Sequence, residues 1–454
     1  MAKNKKRKYH RPPASKNAVQ KPLLISQCMI VKNEEKNIER ALSWAKPIVF
    51  EQIVVDTGST DKTVEIAESM GAKVYHFEWI NDFSAAKNYA IDQAKGDWIA
   101  FLDADEYFTD EDTIKLVNVL TAIESDPRLS KMKTAVHCSV VNIDDEGKPF
   151  LVLIQQRIFR NTPEIRYAGS IHEGLTLPEP SFNAPDLSIM HTGYTKEAYA
   201  DTGKATRNIS MIEAELSKRP DDATLKCYLA DSLRVAGSPE DISKAELLYR
   251  EALSSGTKML EALEQGAYNY LISRYYDDEE KAEETLEFCR KAYEKFPENP
   301  DFCYYYGRKL HFSNDYKEAW EKFTECETLL QGRSVGLAGF ILKHPIMLFF
   351  SMTLTAESMG NMQEVIRCAT LALKEDKHQP EMLAPYISAF NKEGYATPAE
   401  EIFMLLGKLY DFNNTKDKIT VMRAAKTAEN MELVAIILSA FTSEELKWLT
   451  QETG

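Results

Sequence analysis

No run in the chain reaches the ~18–20 apolar residues that a membrane-crossing helix needs. The nearest approach, Leu337 to Met352, is broken by Lys343, His344 and Pro345. The N-terminus lacks the apolar core of a secretory signal. Seven cysteines are scattered, odd in number and without zinc-like spacing, which fits free thiols in a reducing compartment. A cytoplasmic protein without a membrane span is the expectation. Basic charge is scarce beyond the start: residues 1–21 hold eight Lys or Arg and no acid, leaving 47 basic against 70 acidic residues, a net of −23. A body that acidic argues against nucleic acid as a partner. Residues 1–21, with Pro12 and Pro13, read as a disordered basic tail. Also missing are a Gly-x-Gly-x-x-Gly or Gly-Lys-Ser/Thr loop after the first apolar run, so the usual backbone-amide cradles for phosphate are absent.

What is present is a soluble globular composition, 44% apolar and 28% charged over 454 residues, long enough for two or three domains. Leu23 to Val31 reads as a buried strand, Asn37 to Trp44 as a helix, and Ile53-Val54-Val55 as a second strand ending at Asp56. A helix to Met70, a strand from Ala72 to Tyr75 and a helix from Ser84 to Lys95 follow. Next comes Gly96-Asp97-Trp98-Ile99-Ala100-Phe101-Leu102, a strand that stops in Asp103-Ala104-Asp105-Glu106. This alternation predicts an α/β, mostly parallel sheet, whose ligands bind beyond the carboxyl ends of the strands. Glu34, Asp56 and Asp103 all fall there. Asp-x-Asp lets two carboxylates reach one hard cation, Mg²⁺ or Mn²⁺, that keeps open positions for phosphate oxygens. The competing account is a helix cap by Asp105 or Thr109.

Four segments stand in order: Ile30-Val31-Lys32-Asn33-Glu34-Glu35, Val55-Asp56-Thr57-Gly58-Ser59-Thr60-Asp61, Asp82-Phe83-Ser84-Ala85-Ala86-Lys87-Asn88-Tyr89-Ala90 and Leu102-Asp103-Ala104-Asp105-Glu106. Together they resemble the family 2 glycosyltransferases of GT-A fold. The resemblance implies a nucleotide-sugar donor, a UDP-sugar first, with Glu34 and Asp56 on ribose and base and Lys87 and Asn88 lining the donor pocket. It implies Asp103 and Asp105 on the metal, with Asp103 also facing the donor. His191, in Ser188-Ile189-Met190-His191-Thr192-Gly193-Tyr194, stands where such folds return a third metal ligand; a satisfied core histidine is the alternative. Strands Ala135–Val141 and Leu151–Phe159 flank a turn at Asp144–Gly147 and lead to Gly169-Ser170-Ile171-His172-Glu173-Gly174. An inverting transfer needs a positioned base. Glu173 is the candidate, His172 its rival, and a salt bridge from Glu173 to Arg157 or Arg166 the structural alternative.

After Tyr194 strands vanish. Residues 22–195 are thus expected to form the GT-A domain, 196–219 a linking helix and 220–454 an all-α helical repeat domain. Tyr306-Gly307, Leu310, Ala319, Phe323 and Cys326 match tetratricopeptide spacing. Ala245, Tyr249 and Ala252 repeat the second-helix pattern, as do Thr285, Cys289 and Ala292, then Val365, Ala369 and Ala372, and finally Ala399, Phe403 and Leu406. Such an α-solenoid can bind an extended chain, and its apolar ends leave a homodimer open. The pairing of this tail with His-Glu is similar to bacterial peptide and protein glycosyltransferases. That resemblance implies transfer to Ser/Thr or Cys of a protein or peptide acceptor held on the repeats. A saccharide or cell-envelope glycan acceptor is the alternative, and a non-catalytic scaffold a more distant one.

Overall fold

In a computed structural model the described residues are 22–193, 202–331, 339–391 and 397–452. The expected basic tail and the closing Tyr194 lie outside them. The chain divides into two compact units between Glu215 and Leu216, within α5 (Thr202–Lys218), the helix that covers most of the expected linker.

The first unit is built on an eight-stranded sheet. Its strands are β1 (Ile25–Val31), β2 (Glu51–Asp56), β3 (Lys73–His76), β4 (Trp98–Phe101), β5 (Glu106–Phe108), β6 (Ala135–Ile143), β7 (Pro149–Arg160) and β10 (Phe182–His191). Their spatial order is β3-β2-β1-β4-β7-β6-β10-β5, and β8 (Arg166–Ala168) pairs with β9 (Gly174–Thr176) as a separate ribbon. β1 runs parallel to both β2 and β4, so the strand order reverses beside β1 and leaves a crevice at the carboxyl ends there. Helices α1 (Ile38–Ser43), α2 (Thr63–Ser69), α3 (Phe83–Gln93) and α4 (Asp110–Ser125) cover the sheet. Because both faces are covered, β1, β2 and β4 are buried almost throughout.

Their few polar side chains are spent on one another. Gln27 Nε2 donates to Ala41 O at 2.7 Å, and Gln52 Nε2 to Gln27 Oε1 at 2.7 Å. Glu51 collects Ser26 Oγ at 2.8 Å, the Lys95 N–H at 2.6 Å and Lys73 Nζ at 2.7 Å. The Gly96 N–H in turn donates to Ser26 Oγ at 2.8 Å. These bonds tie the α3–β4 link to the starts of β1 and β2, and so set the height at which β4 delivers its acids.

The second unit is helical, and its small residues mark helix crossings. Ala319, Phe323 and Cys326 are fully buried beside Leu310. A Cβ on Gly307 would stand 2.8 Å from the Phe323 ring; its absence is what lets 300–312 approach 316–330. Ala245, Tyr249, Ala252, Thr285, Cys289, Ala292, Val365, Ala369 and Ala372 are buried in the corresponding places. The helical repeats follow the expected tetratricopeptide-like pattern. Among the described residues no helix is long and apolar enough to cross a membrane.

The Gly96 contact is testable. A Cβ there would lie 2.7 Å from both Ser26 N and Ser26 Oγ and 2.9 Å from Leu24 O, and the two main-chain atoms cannot swing aside. Gly96→Ala is expected to lower stability by about 1–3 kcal/mol; a urea midpoint equal to that of the parent chain would show that the strand has slack.

Candidate active site

Three loops at the crevice are stitched together by their own polar groups. After β1, Asn33 adopts a left-handed φ of 57°, and its Oδ1 accepts the Thr60 N–H at 2.8 Å while its own N–H donates to Ser59 Oγ at 2.9 Å. The Glu34 N–H donates to Thr63 Oγ1 at 2.7 Å, and Glu34 Oε2 accepts from Asn37 Nδ2 at 2.8 Å. After β2, Asp56 accepts the N–H groups of Gly58 and Ser59 at 3.2 and 3.0 Å, with His76 Nδ1 3.4 Å away. Gly58, at φ +107°, makes that return possible. Glu34 and Asp56 thus stand on neighbouring strand ends.

Asp103 follows β4 and is held by two cations. Lys87 Nζ lies 3.5 Å from its Oδ1 and Arg157 Nη2 3.1 Å from its Oδ2. Lys87 is only 4% exposed and rises from α3 between the rings of Phe101 and Tyr167, at 5.2 and 5.1 Å. The same Nζ meets Glu173 Oε1 at 2.7 Å. Arg157 reaches on to Glu106 Oε1 at 2.6 Å, whose other oxygen accepts the Asp103 N–H at 3.0 Å. Burial opposes ionisation of Asp103, but Lys87 and Arg157 outweigh it and hold this carboxyl well below the ordinary range. For Lys87 burial is likewise overcome, by Asp103 and Glu173, and its ammonium is held above its usual value. At Glu106 burial wins over Arg157, and the carboxyl is pushed up.

The third part comes from strand register. His191 is opposite Glu106 on β5 and Asn142 on β6. Asn142 Nδ2 donates to Leu151 O at 3.1 Å, which turns its Oδ1 toward His191 Nδ1 at 2.6 Å. Nδ1 therefore carries the proton, and Nε2 faces Asp105 Oδ2 at 3.3 Å. Burial draws the imidazole pKa down, but the Asp105 carboxylate prevails and the net shift is upward. A Cβ on Gly193 would collide with both Asp105 Oδ2 and His191 Nε2. The gap between these two atoms exists because residue 193 has no side chain.

The expected residues come together unevenly. Thr109, and not Asp105, caps α4 by accepting the Asp112 N–H, which leaves Asp105 to the crevice. Asp103, Asp105 and His191 do not form one triad: Asp103 faces Lys87 and Arg157, whereas Asp105 and His191 face each other. Among the described residues no three His, Cys, Asp or Glu side chains make a ready cation cluster. Glu173 pairs with Lys87 in place of Arg157 or Arg166, since Arg166 is bound to Asp92 at 2.8 Å. Asn88, expected in the donor pocket, has both ends of its amide on the Tyr167 backbone, each at 2.9 Å. His172 sits at φ 52°, in the turn whose Gly169 and Ser170 carbonyls accept Ser84 Oγ at 2.6 Å and the Phe83 N–H at 2.8 Å. Those bonds clamp the start of α3 to the His172-Glu173 turn. Sequence reasoning missed Asn142 and the reach of Arg157 to Asp103 and Glu106; an arginine within an apolar strand was the available signal for the second.

A divalent cation fits what is here. Four carboxyl groups (Asp103, Asp105, Glu106 and Glu173) stand against two fixed cations, Lys87 and Arg157. A diphosphate would add to that excess. Asp105 Oδ2 and His191 Nε2, with the space kept by Gly193, are a suitable partial shell for an ion completed by phosphate oxygens.

Residues 26–127 match the family described as Glycosyl transferase family 2. A TPR repeat-containing protein of Synechococcus elongatus is 34% identical over 242 residues, 51% of this chain and 57% of that protein. SunS, an SPbeta prophage-derived glycosyltransferase of Bacillus subtilis, is 29% identical over 221 residues, 47% of this chain and 50% of its own. An uncharacterized glycosyltransferase of Rickettsia bellii is 49% identical over 87 residues, 19% of this chain and 29% of that one. The chain spans about half the length of the first two relatives. It carries a family 2 glycosyltransferase domain followed by tetratricopeptide-like repeats.

Replacing the shared cation tests the cluster. Lys87→Met leaves Asp103 and Glu173 without it, and a loss of about 3–5 kcal/mol in unfolding free energy is expected. Asp103, with a lowered carboxyl pKa, adds stability above about pH 4 that fades as pH falls, and Lys87, with a raised one, adds stability below about pH 10 that fades as pH rises. The gap between parent and variant should therefore hold from about pH 5 to 9 and narrow below about pH 4. A gap that grows on acidification would contradict the pairing.

Proposed function

We propose that the chain is a metal-dependent, inverting glycosyltransferase that moves a sugar from a UDP-sugar to a Ser, Thr or Cys side chain of a protein or peptide. The observation that carries this reading is Lys87, whose one Nζ links Glu173 to Asp103. A carboxylate able to take a proton is thereby held beside the strand end where a nucleotide-sugar would lie. Glu34 and Asp56 hold ribose and base at the neighbouring strand ends. Asp105 and His191 would hold a Mn²⁺ or Mg²⁺ ion, and the chemistry it supplies there is neutralisation of the departing diphosphate. Arg157 and Lys87 keep Asp103 ionised and fixed in place. Glu173 receives the proton of the attacking hydroxyl or thiol as the new bond to the anomeric carbon forms and the bond to the diphosphate breaks. His172, one residue away in a strained turn, is a positioning residue on this reading. The helical repeats hold the acceptor, whose length a small catalytic unit cannot grip alone.

The test separates donor chemistry from transfer. Asp105→Ala, and chelation of the parent chain, should each abolish hydrolysis of the UDP-sugar found active in a donor screen. Glu173→Gln should leave UDP binding intact and slow transfer by about 100-fold or more. Full hydrolysis in chelator would refute the metal; undiminished transfer by Glu173→Gln would refute the base.

A further inference from the structure

A cavity of about 910 Å³ opens within the second unit, bounded by the helix Glu261–Arg274 and the segment Lys295–Asp301. Its size is that of a ligand pocket. The helix contributes Ala262, Gln265, Gly266 and Asn269, whose spacing of three and four residues puts them on one face. Most polar groups around them are already engaged. Gln265 Nε2 donates to Glu261 Oε1 at 2.8 Å, and Gln265 Oε1 accepts from Asn299 Nδ2 at 2.9 Å. Asp301 accepts the N–H groups of Phe340 and Ile341 at 2.7 and 2.8 Å, and Lys295 is paired with Glu264. The wall is therefore set before anything binds. Asn269 is the exception: among the described residues its amide has no partner.

Gly266 has no packing reason to be glycine. Gly266 and Gly307 both lie well inside helices. A Cβ at Gly307 would strike the Phe323 ring, but at Gly266, where the backbone is helical, it would meet nothing within 4 Å. Glycine inside a helix costs about 1 kcal/mol relative to alanine, and close packing returns none of it here. What the missing side chain provides is access, because a group in the cavity can approach the helix backbone closely.

We infer that this cavity is the subsite for an extended segment of a polypeptide acceptor, with a Lys or Arg of that segment over the acidic lining. The inference rests on the reading that the repeats hold a protein. The Asn269 amide offers a donor and an acceptor side by side, which match the C=O and N–H of a peptide main chain. Gly266, one turn earlier on the same face, lets that main chain lie against the helix. Glu261, Glu264, Glu298 and Asp301 line the cavity against Lys258 and Lys295, two more acids than bases. Such a balance attracts a cationic side chain, gives a neutral sugar no advantage and repels a phosphate-bearing glycan.

Selection of a displayed library of random peptides, about 12 residues long, on the full chain without nucleotide tests it. Recovered peptides should carry more Lys and Arg than Asp and Glu. A fluorescein-labelled synthetic copy of the commonest should bind the parent chain with a dissociation constant that Gly266→Leu and Asn269→Ala each raise by about 10-fold or more. Gly266→Leu puts a good helix former into open space, so its urea midpoint should equal or exceed that of the parent while binding is lost. A midpoint that falls would show that folding needs the glycine, and would overturn the inference. So would acid-rich peptides, an affinity that either variant leaves unchanged, or a library that yields no binder; a glycan site would give one of these results. Donor hydrolysis needs no peptide, so the sugar-transfer reading is judged separately and either can fail while the other stands.

Discussion

Everything in the catalytic unit leans on one buried ammonium. Lys87 is enclosed by Phe101 and Tyr167 and bound to Glu173 and Asp103, and a charge so buried persists only where opposite charges surround it. Each partner comes from a different place in the chain: Asp103 from the end of β4, Glu173 from the turn before β9, Lys87 from α3. The position of α3 is itself fixed by Asn88 on the Tyr167 backbone and by Phe83 and Ser84 on the 169–170 carbonyls. The ion pair is thus the point at which helix, strand end and turn are tied to one another. Arg157 extends it to Glu106, and strand register carries it on to His191.

The surplus of carboxyl groups over fixed cations follows from this arrangement. Protein cations satisfy Asp103, Glu106 and Glu173, whereas among the described residues Asp105 meets the imidazole of His191. That part of the crevice is kept open by a glycine. On the proposed function, a diphosphate bound without phosphate-cradling amides would need positive charge from elsewhere, and this is where a cation would fit.

Legibility in the sequence depended on separation along the chain. Strand ends with acids, the α3 segment and the Asp-x-Asp run were plain because each is a short contiguous pattern within residues 23–106. The fold class followed from their alternation. Helix crossings such as Gly307 with Ala319 and Phe323 were plain because a small residue at fixed spacing has a single packing reason. Contacts across 50 residues or more were not: Asp103 with Arg157, and Glu173 with Lys87, link segments whose register no local pattern specifies. Asn88 turns to the Tyr167 backbone while its neighbour Lys87 meets Asp103 and Glu173, because a helix turns successive side chains by about 100°. Asn142 was invisible for the same cause as the tautomer it sets, since only the pairing of β6 with β10 brings it to His191.

The most direct measurement is the affinity of UDP for the parent chain by titration calorimetry, with and without Mn²⁺. If the carboxyl surplus governs the crevice, adding the ion should tighten UDP binding by about 100-fold or more, as opposite charge replaces repulsion at close range. Equal affinities in the ion and in chelator would contradict the account.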